Sequence, residues 1–135
     1  MTVEIERDPK KRRGKTVLVV KDNAVVRKMI AAAFLSDGFK TCVEGENGKE
    51  GIAAAERIKP DIITLDLSMR VMNGLEAASA LRKLFPKMPM ILFTLYSNGA
   101  LETEAAKVGI NLVLAKTVPL STLVEKAHEL MGSGG

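Results

Sequence analysis

Five short runs of consecutive apolar residues alternate along the chain with longer stretches whose apolar residues recur at helical spacing. The first run, Thr16-Val17-Leu18-Val19-Val20, predicts a strand, and Asn23 to Ser36 predicts a helix closed by Asp37-Gly38. Phe39 to Val43 predicts a weaker strand. A helix follows from Asn47 to Ile58, with Asn47 and Glu50 at capping spacing and Pro60 as punctuation. Asp61 to Leu65 predicts a third strand, which ends at Asp66. A loop closed by Asn73-Gly74 leads to a helix over Leu75 to Phe85 and a strand over Met90 to Thr94. A short helix near Ala100 to Val108, a strand over Ile110 to Leu114 and a helix over Leu120 to Met131 complete the series.

Strict alternation of strand and helix predicts an α/β fold, a doubly wound (βα)5 unit around a five-stranded parallel sheet. Parallel strands need crossovers, and right-handed crossovers pack helices on both faces. The runs Val17–Val20, Ile62–Leu65 and Met90–Phe93 are apolar almost throughout, which suits strands buried on both sides. Ligands of such sheets bind beyond the carboxyl ends of the strands. The residues there are Lys21 and Asp22 after the first strand, Asp66 after the third, Thr94 ending the fourth and Lys116 after the fifth.

Composition narrows the setting. The 135 residues, 47% hydrophobic and 27% charged, suit one domain able to bury a core without metal or disulfide staples. The single cysteine, Cys42, cannot form an internal disulfide and reads as a small core residue, which points to a reducing compartment. No apolar run approaches the roughly 20 residues of a membrane span, so the expected location is the cytoplasm. Of the net charge of +4, three units sit in residues 1–15, where six basic side chains face three acidic ones. The run Lys10-Lys11-Arg12-Arg13 lacks interleaved aromatics, so it reads as part of a flexible basic extension over residues 1–14 and not as a nucleic-acid surface. Gly132 to Gly135 reads as a linker-like tail, leaving a folded domain over 15–131.

Two carboxylates, a hydroxyl and an ammonium at the ends of four strands resemble the response-regulator receiver domain, the CheY-like aspartate phosphoacceptor of two-component signalling. The resemblance covers about residues 16–131. It is carried by Leu18-Val19-Val20-Lys21-Asp22 with Arg27, Pro60-Asp61-Ile62-Ile63-Thr64-Leu65-Asp66, Met69 with Met72-Asn73-Gly74, Thr94, and Gly109 followed by Lys116. It implies a flavodoxin-like sheet of order 2-1-3-4-5, with Asp66 as phosphoryl acceptor. It further implies Mg²⁺ held by Asp22, Asp66 and the Ser68 carbonyl, Lys116 neutralising a phosphoryl oxygen, and Thr94 swinging in to bond another. A carboxylate receiving a phosphoryl group is surrounded by negative charge, which is why a cation and a fixed ammonium belong there. The implied partners are a sensor histidine kinase or phosphotransfer protein and a downstream protein, with homodimerisation through the fourth-helix face as an option. No membrane is expected. Chemistry is confined to self-phosphorylation and self-dephosphorylation, so the chain is not expected to be an enzyme. It reads as a single-domain regulator or as a receiver cut from a longer chain.

Several positions depart from that pattern. Lys21 stands where the family has the first of two adjacent acids, so Asp22, Asp66, Lys21 and Lys116 sum to zero where an acid would leave −2. Each 1.4 kcal/mol of lost attraction costs about tenfold in Mg²⁺ affinity. Two readings stay open: Lys21 turns outward and Asp22 suffices, or its ammonium takes the cation position and pairs with Asp66, making a pseudo-receiver that acts as an interaction module without phosphorylation. Arg70 and Thr117 replace prolines. The second replacement predicts either a trans Lys116-Thr117 peptide with a shifted loop or a strained cis one, which for a non-proline bond costs about 2.5–4 kcal/mol. Leu95, where a small residue is usual, would narrow access to Asp66. Val113 stands where an aromatic is usual; Tyr96, the single tyrosine, reads either as a substitute or, as is more usual for a loop tyrosine, as a packing or interface residue. His128 lacks metal-ligand partners at helical spacing and reads as structural.

Rival chemistries on the same sheet fit poorly. A haloacid-dehalogenase-like phosphatase needs a second Asp two residues after its nucleophile, and neither Asp22-Asn23-Ala24 nor Asp66-Leu67-Ser68 supplies one. A flavin carrier needs a hydroxyl-rich phosphate loop and stacking aromatics, and the chain has no Trp and one Tyr.

Overall fold

Residues 14–95 and 97–133 are described in the computed structural model, the side chains of Thr41 and Ser133 apart. The basic arm up to Arg13, Tyr96 and Gly134-Gly135 lie outside the described residues. The elements in order are β1 (Thr16–Val20), α1 (Ala24–Ser36), β2 (Thr41–Gly45), α2 (Gly48–Ile58), β3 (Ile62–Leu65), α3 (Gly74–Leu84), β4 (Met90–Thr94), α4 (Gly99–Lys107), β5 (Leu112–Ala115) and α5 (Leu120–Ser133). All strand pairs are parallel, in the order β2-β1-β3-β4-β5.

Side chains of a strand alternate between faces, so β1 feeds two cores. Val17 and Val19 join Ile30 and Phe34 of α1 and Leu123 and Ala127 of α5 on one side. Leu18 and Val20 join Ala54 and Ala55 of α2 and Ala77, Ala78 and Leu81 of α3 on the other. The small residues of α2 and α3 let those helices lie close to the sheet. Asparagines open four helices: the side chains of Asn23, Asn47, Asn73 and Asn98 each accept a hydrogen bond from a backbone amide three residues on. At α3 the box is complete, because Glu76 also accepts from the Asn73 amide at 3.0 Å.

Two strands begin two residues later than their apolar runs predict. Phe39 is buried and packs edge-on against Phe34, with ring centroids 4.8 Å apart, and its amide donates to the Phe34 carbonyl. It therefore closes α1, and pairing starts at Thr41, opposite Thr16. Ile110 does the same after α4, donating to the Ala105 carbonyl. Apolarity reported burial correctly in both places but not membership of the ladder. α5 runs on to Ser133, two residues past the predicted end.

Arg82, which the sequence left without a role, staples two turns together. Nη1 donates to the carbonyls of Phe85 and Pro86, both at 2.9 Å. Nη2 donates to those of Met88 and Gly109, both at 2.6 Å, and to Asn111 Oδ1 at 3.2 Å. Gly109 is required there: its φ is +95°, and a Cβ would lie 2.6 Å from Arg82 Nε. Arg82→Ala leaves several half-buried carbonyls without a donor, and urea denaturation should show a loss of about 2–3 kcal/mol with an unchanged slope.

Cys42 lies half-buried in β2, and burial, with the Glu44 charge adding and the Lys28 charge opposing, pushes its thiol up to about 12. Alkylation by iodoacetamide at pH 8 should run about a hundredfold or more slower than for an unstructured cysteine. Because the unfolded thiol ionises several units lower, stability should be full at neutral pH and fall once the pH rises past about 9.

Candidate functional site

The site is a product of strand register. Val20 pairs with Leu65, so Lys21 and Asp66, the next residues, emerge side by side. The Asp66 amide donates to the Val20 carbonyl at 3.2 Å and the Lys21 amide to that of Gly45 at 3.0 Å. Thr94 pairs with Ala115, and the Lys116 amide donates to the Thr94 carbonyl at 2.7 Å, which brings the fifth strand's lysine to the same rim. α3 starts against this rim: a Cβ on Gly74 would collide with the Asp66 carbonyl.

The Asp66 carboxylate is held between two ammonium groups. Lys21 Nζ donates to Oδ2 at 2.6 Å, and Lys116 Nζ lies 3.1 Å from Oδ1. Lys21 Nζ also stands 3.7 Å from Asp22 Oδ1. Asp66 is 3% exposed and Lys21 8%, whereas Asp22 sits at the surface. Thr94 is equally buried, and among the described residues its hydroxyl has no hydrogen-bond partner. Burial alone would lower the Lys21 ammonium, but the hydrogen bond and charge of Asp66, helped by Asp22, hold it above the ordinary lysine value. Burial, together with the neighbouring Lys21, pulls Lys116 below it, against the attraction of Asp66.

Of the two readings of Lys21, the inward one matches the geometry. Its backbone is fixed as well: Arg27 Nη1 donates to the Lys21 carbonyl at 2.7 Å and reaches that of Asp22 at 3.4 Å, while Nε pairs with Glu44 at 2.7 Å. Lys28 holds the other Glu44 oxygen at 2.9 Å. Burial would raise the Glu44 carboxyl, but these two cations hold it below its ordinary range. The sequence pointed to Arg27 through resemblance alone. Its pairing with Glu44 joins an edge strand to a helix and has no sequence signal.

Ser68 is exposed on the loop beyond Asp66 and, among the described residues, makes no hydrogen bond to the cluster. The Lys116-Thr117 peptide is trans. Leu95, just past Thr94, is 62% exposed. Val113 is half-buried against the α2/α3 core. Arg70 and Val71 border an open cleft with Asp22, Asn23, Glu46 and Asn47, and Val71 holds a left-handed φ of +70°, a strained state for a β-branched residue. His128 Nε2 lies 2.7 Å from Asp37 Oδ2 on the surface, far along the chain from this rim.

A family model for the response regulator receiver domain matches residues 17–128. The chain belongs to the response regulator receiver family. The chemotaxis protein CheY of Thermotoga maritima is 32% identical over 117 residues, which span 87% of this chain and 98% of that protein. A protein-glutamate methylesterase/protein-glutamine glutaminase of Archaeoglobus fulgidus is 36% identical over 117 residues, 85% of this chain but 34% of that protein, so the receiver corresponds to about a third of it. The structure of Vibrio cholerae CheY4 superposes with a TM-score of 0.82 at 25% identity, covering 87% of this receiver and 98% of that chain. CheY in the Borrelia burgdorferi complex of CheX, CheY, BeF3 and Mg²⁺ superposes equally well, at 0.82 and 21% identity, and there shows the shared fold. Receivers are signalling domains, and those of the CheY type generally bind Mg²⁺. Among the described residues no helix is long and apolar enough to cross a membrane.

The residues of this receiver do not fit a divalent cation as they stand. Of the expected ligands, Asp66 has both oxygens occupied by ammonium groups and Asp22 faces the same Lys21 Nζ. An ammonium offers a metal charge repulsion and no lone pair. Among the described residues no group of three His, Cys, Asp or Glu side chains could hold a metal ion.

The sign of a stability change follows. In an acid-rich pocket, removing a carboxylate relieves repulsion, but here Asp66→Ala leaves the buried Lys21 ammonium and the half-buried Lys116 ammonium facing each other. Urea denaturation should show a loss of about 3–5 kcal/mol for Asp66→Ala. Asp22→Ala, at the surface and 3.7 Å from its partner, should cost under about 1 kcal/mol.

Proposed function

We propose that this receiver accepts a phosphoryl group on Asp66 and relays the change through Thr94 and Lys116 to a downstream protein. The observation that carries this reading is a buried carboxylate with Lys116 Nζ at 3.1 Å from Oδ1 and, on the neighbouring strand end, a buried Thr94 hydroxyl that has no hydrogen-bond partner among the described residues. With an acyl phosphate donor, Oδ1 attacks phosphorus, the new O–P bond forms as the acyl O–P bond breaks, and the carboxylate leaving group departs with the electron pair. No proton is consumed. Lys116 is placed to follow the transferred group, since its ammonium can move from Oδ1 to a phosphoryl oxygen. Thr94 supplies a hydroxyl that can bond an arriving phosphoryl oxygen, and the β4–α4 loop moves with it.

The donor partner is a sensor histidine kinase or phosphotransfer protein in the cytoplasm. The chain turns over no substrate of its own beyond loss of its phosphoryl group. A second reading is favoured by the occupation of both Asp66 oxygens: the ammonium clamp keeps the resting shape, and the domain serves as an interaction module without phosphorylation. Intact-mass measurement after incubation with acetyl phosphate, with and without Mg²⁺, separates the two. The expected gain is one phosphoryl group, absent in Asp66→Asn. Thr94→Ala should still be phosphorylated but lose the accompanying shift of β4–α4 amide resonances. A folded protein that gains no mass in either condition overturns the first reading in favour of the second.

A further inference from the structure

Position 21 changes the charge of the pocket by two units. With the acid of the receiver pattern at that position, the acids at 21, 22 and 66 and the single Lys116 would sum to −2, and a divalent cation would bring the sum to zero. With Lys21 the sum is zero already. The placement matches the arithmetic. Lys21 Nζ sits 2.6 Å from Asp66 Oδ2 and 3.7 Å from Asp22 Oδ1, against the two carboxylates expected as ligands. Its side chain is about nine-tenths buried, and Arg27 fixes the backbone from which it projects by donating to its carbonyl at 2.7 Å.

From this geometry we infer that the Lys21 ammonium is the resident cation of the pocket, taking the place of a divalent metal ion both at rest and during phosphoryl acceptance. The second half rests on the phosphoacceptor reading. Converting the Asp66 carboxylate to an acyl phosphate adds about one negative charge. The phosphorylated pocket then stands near −1, the same sum that a metal-loaded pocket with an acid at 21 would reach. Lys21 has three donors and spends one on Oδ2, so two remain for phosphoryl oxygens. What it lacks is octahedral geometry, so the phosphoryl group is steered by hydrogen bonds and not by coordination.

The test has a binding arm and a transfer arm. In the first, Mg²⁺ is titrated calorimetrically into wild type and Lys21→Asp, and Mn²⁺ broadening of amide resonances next to Asp66 locates the ion. Lys21→Asp should bind Mg²⁺ at least about tenfold more tightly than wild type; equal affinities overturn the inference. In the second arm, acetyl phosphate is added in excess chelator or in Mg²⁺, and mass is read. Wild type should be phosphorylated to within about twofold in both conditions, while Lys21→Asp should need Mg²⁺. A wild type that needs Mg²⁺ overturns the inference and leaves the phosphoacceptor reading intact. If neither protein is phosphorylated in any condition, the phosphoacceptor reading fails, and the binding arm still decides the cation. Should Lys21→Asp fail to fold, Lys21→Met serves: it should lose phosphorylation in chelator by about tenfold or more, and no loss would overturn the inference.

Discussion

A carboxylate shut away from water at the end of β3 must have its charge answered, and the rest of the rim is arranged around that need. Desolvating one anion costs several kcal/mol unless cations and donors replace the lost water. Here the answer comes from within the chain, with one lysine on each carboxylate oxygen. Arg27 extends the pattern outward. It holds the main chain of Lys21 and is itself held by Glu44, whose second oxygen takes Lys28. The result is a connected network from the sheet edge to the acceptor, in which ion pairs at either end are joined through the Lys21 carbonyl. Removing any buried member leaves its neighbour uncompensated, which is why losses in such chains are not additive.

Much of the fold was legible because its physics is local. Alternating apolar runs and 3.6-residue periods gave all ten elements, and the four asparagine caps lie within a residue or two of the expected helix starts. Polar residues just past apolar runs marked the rim, since a buried strand has no other reason to end in charge. What escaped was set by tertiary contact. The starts of β2 and β5 depend on Phe39 and Ile110 folding back on their preceding helices, and periodicity cannot tell a buried plug from a paired residue. The strand order came from resemblance, because alternation is compatible with several windings.

The site divided along the same line. Which residues gather at the rim could be read from strand ends, but which way Lys21 points could not. A flexible lysine next to solvent can satisfy itself with water, and only the proximity of Asp66 set by the β1/β3 register, together with the Arg27 anchor, decides for the interior. Arg82 makes the complementary point. Its five acceptors come from the turns after α3 and α4, spread over residues 85–111, so no local pattern announces it, yet it fixes how β4 and β5 enter the sheet.

The division of β1 between two cores has a further consequence. Lys21 continues a strand whose alternate side chains serve opposite helix layers. A slip of one residue would turn Val17 and Val19 toward α2 and α3 and Leu18 and Val20 toward α1 and α5, and would carry the lysine away from its carboxylate in the same movement. Misplacing the charge thus entails scrambling the hydrophobic interior, so hydrophobic assembly acts as proofreader for an electrostatic arrangement that could not enforce its own alignment.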